Sequence, residues 1–172
     1  MLSEIRKISS LLLSVAFSSI GFIASITVTV LAAREVSSNP LFVGFPNAVG
    51  VGGAVLGTRM IYLISKNNSQ LNALAFTFLI GALGGAIMFY SLIVDSFVLL
   101  LFGAFILGIG QSATLQTRYA ASFVASEKFK ATALSLAVWF SVFGSVFGPR
   151  MVGSYSNFFE NIFNSELIVG YV

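Results

Sequence analysis

The chain has 172 residues, 57% of them apolar and only 9% charged, with no cysteine and no histidine. That composition lies far outside the range of soluble domains and defines an integral membrane protein. Disulfides, thiol chemistry and a Ser–His site are excluded, and a zinc site would lack its usual ligands. The net charge of +3 comes from basic residues scattered along the chain, mostly bordering apolar runs, so it reads as a topology signal and not as a nucleic-acid surface.

Charge-free runs cover residues 8–33, 36–58, 67–94, 96–117 and 131–149. Each reaches or nearly reaches the ~20 residues a helix needs to cross ~30 Å of hydrocarbon. Because the runs are continuous and not alternating, a membrane β-barrel is disfavoured. Five helical spans are predicted, near 11–31, 41–64, 71–94, 97–119 and 131–152, in one domain over 1–153. Residues 154–172 read as an external tail or the start of an incomplete sixth span. Arg6 and Lys7 precede the first span, Lys66 follows the second, and Lys128 and Lys130 follow the fourth. The positive-inside rule then sets the N-terminus in the cytoplasm of a multi-pass cell-membrane protein. The first apolar run is too long for the 7–15-residue core of a signal peptide and reads as a true span.

In span one, Ser14, Ser18, Gly21, Ser25 and Thr29 follow one another at three- and four-residue spacing and share a helical face. The face either lines a polar pathway or holds hydroxyls bonded to their own backbone or a neighbouring helix. In span two, Pro46 is expected to kink one end, and Gly50, Gly53, Ala54 and Gly57 supply positions for tight packing. Arg59 lies within the inner end of that span, close enough to snorkel to the headgroups. Span three carries Gly81, Gly84 and Gly85, with Gly81 and Gly85 forming a small pair four apart. Asp95 marks the turn into span four, where Gln111, Thr114 and Arg118 form the most polar face in the chain. Near the end of span five, Gly144 and Gly148 sit four apart, and Pro149 removes a backbone donor, the elements of a helix joint.

The stretch RYAASFVASEKFKATALSLAVWFSVFGSVFGPRM, from Arg118 onward, resembles one bacterial and archaeal branch of the major facilitator superfamily. Within it, Gly144, Gly148 and Pro149 match the Gly-x-x-x-Gly-Pro of the antiporter-type motif in the family's fifth helix. Elsewhere the pattern is altered. Gly57 fits the opening of the loop motif between helices two and three, but Ile61 replaces its acid and Tyr62 its first arginine. The resemblance implies an all-α integral membrane protein, a five-helix bundle like one half of a major facilitator fold, truncated before helix six. It also implies a permease moving a small solute, efflux included, with a second transporter half or a second copy as partner and the lipid bilayer around it. Gln111, Thr114 and Arg118 are then candidates for the pathway or its coupling, with Arg59 as a charge at the inner end. The alternative is a non-transporting membrane assembly protein, or an inactive truncated fragment.

Chemistry argues against an enzyme, a cofactor or a bound metal. The six acids are dispersed among loops and tail, so no carboxylate dyad can be drawn. No Asp, Glu or His falls inside a predicted span, so proton-coupling groups must lie elsewhere.

Overall fold

The computed structural model describes residues 2–36, 40–126, 130–143 and 146–147. These are helical apart from short connections, with no strand among them. The long elements are α1 (Leu2–Val36), α2 (Phe45–Asn67), α3 (Gln70–Ile93) and α4 (Phe97–Val124), followed by a shorter apolar helix, α5 (Lys130–Phe143). Stretches of 23 or 24 residues in each of α1 to α4 are long and apolar enough to cross a bilayer. At 1.5 Å per residue such a stretch is about 35 Å long, slightly more than the hydrocarbon core.

Local chemistry sets the helix ends. A single 3-10 turn at Pro40–Phe42 precedes α2, and the ring of Phe42 meets Phe45 and Phe97 edge-on at centroid distances of 6.2 and 6.0 Å. Pro46 lies in the first turn of α2 and starts the helix instead of kinking it. Proline is at home there because the first-turn N–H groups have no intrahelical acceptor to lose. Between α3 and α4 the chain reverses in three residues. Asp95 takes the left-handed conformation (φ 51°), and the Ser96 N–H donates to the Ser91 carbonyl at 3.0 Å. The Ser96 hydroxyl then accepts from the Leu99 N–H at 3.4 Å, capping α4. Connections this short make α2 and α3, and likewise α3 and α4, antiparallel neighbours, so α2 and α4 run parallel.

α4 is the central helix. Of an apolar 18-residue stretch within it 44% is buried, against 28% for α3 and 22% each for α1 and α2. The burial comes from backbone approaching backbone. Gly50, Gly53 and Gly57 of α2 face Ala104, Phe105, Gly108, Ile109 and Ser112 of α4, and a Cβ on Gly108 would run into the Gly50 carbonyl. On the other side, a Cβ on Gly81 would lie 2.7 Å from the Gly110 Cα, and one on Gly84 would collide with the backbone at Leu107. Gly85 stands off, its nearest neighbour the tip of Leu107 at 4.0 Å, so the pair in use on α3 is Gly81 with Gly84. Such contacts multiply dispersion between helices where lipid offers no hydrophobic driving force.

The outer surface is apolar, with Phe17, Val51, Leu79 and Trp139 each about two-thirds exposed or more. In water that would be a liability, whereas in a bilayer it faces acyl chains. Several hydroxyls within the helices bond to their own backbone. Thr58, Thr77, Ser91, Ser112 and Thr117 each donate to a carbonyl three or four residues earlier. That arrangement satisfies them without water.

Candidate functional site

The polar face of α4 and the hydroxyl face of α1 meet. Gln111, half-buried near the middle of α4, donates from its Nε2 to the Ser25 Oγ at 3.3 Å, across 86 residues of sequence. Ser25 in turn donates to the Phe22 carbonyl at 2.7 Å, and Thr29 donates to the Ser25 carbonyl at 2.6 Å. Ser18 likewise bonds back to the Val15 carbonyl, at 3.2 Å. The α1 face therefore satisfies most of its hydroxyls internally. Ser25 alone among these three also takes a bond from α4.

Thr114 is buried one turn along α4 from Gln111. A further turn on, Arg118 is half-buried, and its Nε is shielded from solvent with no hydrogen-bond partner among the described residues. The Oγ of Ser19, on a fully buried residue of α1, is in the same position. A shielded donor without an acceptor costs free energy, so these two atoms mark where the bundle is least satisfied.

Arg59 stands apart. It is exposed on α2, away from the buried face of Pro46, Gly50, Gly53, Gly57 and Ile61 that addresses α4. The structure thus brings together Gln111, Thr114 and Arg118 on one face and leaves Arg59 outside the group. Gly144, Gly148 and Pro149, the sequence-predicted joint, lie outside the described residues. Ser25 is the participant that sequence spacing showed only as one of five small residues. The polarity of Gln111 in an apolar helix was the signal that such a partner was needed. Among the described residues there is no group of three or more acidic side chains suited to a metal ion.

A helical bundle with an apolar exterior and an internal polar seam is a multi-pass membrane protein. The chain is 32% identical over 146 residues to a Bacillus subtilis (strain 168) protein described as "Uncharacterized MFS-type transporter YdeG", covering 85% of this chain and 34% of that protein. It is also 32% identical over 157 residues to the "Uncharacterized MFS-type transporter YddS" of the same organism, covering 91% of this chain and 36% of that protein. The chain is a homologue of the transporters of the major facilitator superfamily, and it spans about a third of the length of these relatives. No family model matches it, and no solved structure matches it.

Proposed function

We propose that the chain forms part of a major facilitator-type permease that carries a small solute across the cell membrane, efflux included. The observation that carries this reading is the seam of Ser25, Gln111, Thr114 and Arg118, a polar line inside an apolar bundle whose relatives bear the description of transporters. Polar groups are costly within a membrane and are kept where a solute or a partner uses them. Gln111 offers a donor and an acceptor, and Arg118 a cationic side chain whose Nε has no partner among the described residues, so the seam suits a solute that accepts hydrogen bonds. Catalysis has no part in the reading.

The rest of the permease, a second half or a second copy, would close the pathway on the other side. Gly144, Gly148 and Pro149 would act as a joint in the fifth span, Arg59 would anchor α2 at the headgroups, and the N-terminus would face the cytoplasm. The test is flux into proteoliposomes holding the protein as purified from its native membrane. Labelled sugars, amino acids and lipophilic cations serve as the panel of probes. With helix content matched to the native protein, Arg118→Ala abolishes flux of whichever probe is carried. Unchanged flux removes Arg118 from the pathway, and no flux of any probe by the native protein counts against the reading.

A further inference from the structure

Arg59 is a charge on the outside of the bundle at the depth of its polar middle. It lies about 12 Å before the Asn67 end of α2 at 1.5 Å per residue, and so about 10 Å inside the hydrocarbon boundary. Packing gives the same level: Gly57, two residues earlier, meets Ile109 and Ser112 of α4, which bracket Gln111. Two residues turn the helix by about 200°, so Arg59 points away from α4.

The surface around it is apolar and bare. Val55, Leu56, Tyr62 and Leu63, at three- and four-residue spacing on either side, are each more than half exposed. Arg59 is exposed with them and has no hydrogen-bond or ion-pair partner among the described residues. The other helix contacts are spent elsewhere, α2 on α4 through its glycines, and α1 on α5 through Leu12, Val15 and Ala137. Lys66, two turns nearer the helix end, reaches the headgroups by simple extension. From Arg59 the same reach is roughly 10 Å, and acyl chains offer a guanidinium nothing on the way. Charged side chains at such depth almost always face protein or a water-filled cavity and pair there.

This chain supplies no partner of opposite charge. Its six acids, Glu4, Glu35, Asp95, Glu127, Glu160 and Glu166, all fall outside the apolar runs. A second copy would therefore bring no carboxylate to this depth. The chain covers about a third of its relatives, which leaves room for helices that this sequence does not contain.

We infer that the face of α2 carrying Val55, Arg59 and Tyr62 docks against a membrane helix from outside these 172 residues, one that bears an Asp or Glu at mid-membrane depth to pair with Arg59. The inference rests on the permease reading and narrows it: the missing part is a different half, not a second copy. Stretching to the headgroups is what Arg59 does when that helix is absent.

A benzophenone amino acid in place of Tyr62, irradiated in the native membrane, captures whatever covers this face, and mass spectrometry reads the attached peptide. The expected adduct is an apolar segment foreign to this sequence, with an acid about one turn from the point of attachment. In the extracted assembly, Arg59→Asp should cut recovery of that partner roughly tenfold or more, as reversal of one member of a buried pair demands. Arg59→Lys should keep it, and changing the partner's acid to Lys should restore it to Arg59→Asp. Helix content of every variant should match the native chain, because Arg59 is exposed within it. Adducts to lipid alone, to a second copy of this chain or to a segment without an acid overturn the pairing, as does undiminished recovery with Arg59→Asp. Flux is read separately. A captured acidic helix without flux of any probe keeps the pairing and counts against the permease, and flux with lipid adducts alone does the reverse.

Discussion

At the scale of single residues, the structure turns on positions whose side chains meet a backbone demand. Asp95 occupies the left-handed conformation that ends α3, where an L-residue pays for its Cβ. Asp95→Gly should leave stability unchanged or raise it by about 1 kcal/mol, and Asp95→Val should lower it by roughly 1–2 kcal/mol. Thermal melting of the helical circular dichroism signal in detergent measures both. Gln111 and Arg118 pose the opposite problem, polar groups in an apolar helix. Sequence spacing put them on one face with Thr114, because helical geometry fixes residues three and four apart. The identity of the partner was beyond reach of spacing, since Ser25 is 86 residues away and four other small residues share its face.

Elements obey a coarser logic, and here glycine position decides. Gly50, Gly53 and Gly57 read from the sequence as a packing face on α2, and they are the residues against α4. On α3 the four-residue pair of Gly81 and Gly85 gave way to Gly81 and Gly84. Which glycines touch depends on the angle at which α4 crosses, a property of two helices that one helix's spacing does not contain. Pro46 was read as a kink and proves to be a start, because helix propensity around residues 41–44 could not be separated from apolarity alone. Gly108→Ala places a methyl group against the Gly50 carbonyl and should cost about 1–3 kcal/mol or more. Gly52→Ala, where a Cβ would meet nothing within 4 Å, should fall within about 0.5 kcal/mol of the native protein. Unfolding of the two variants in parallel, followed by helix content against denaturant in mixed micelles, separates the cases. Similar losses for both would mean that the α2–α4 contact is looser than it stands.

For the whole molecule, composition was decisive. With 9% charged residues the chain could only be a membrane protein, and the charge-free runs located its long helices. The order of packing, with α4 at the centre and α1 paired with α5 at one end, was not legible, because every helix is apolar on most sides and hydropathy carries no direction in such a bundle. We propose that this chain works as part of a solute carrier built on the scale of its relatives. The measurement that tests it most directly is the mass of the assembly drawn from its native membrane in mild detergent, with every co-purifying polypeptide identified. The account predicts a complex of about twelve membrane helices, formed with a second half or a second copy, that carries solute after reconstitution. A lone 18.3 kDa chain without flux would contradict it.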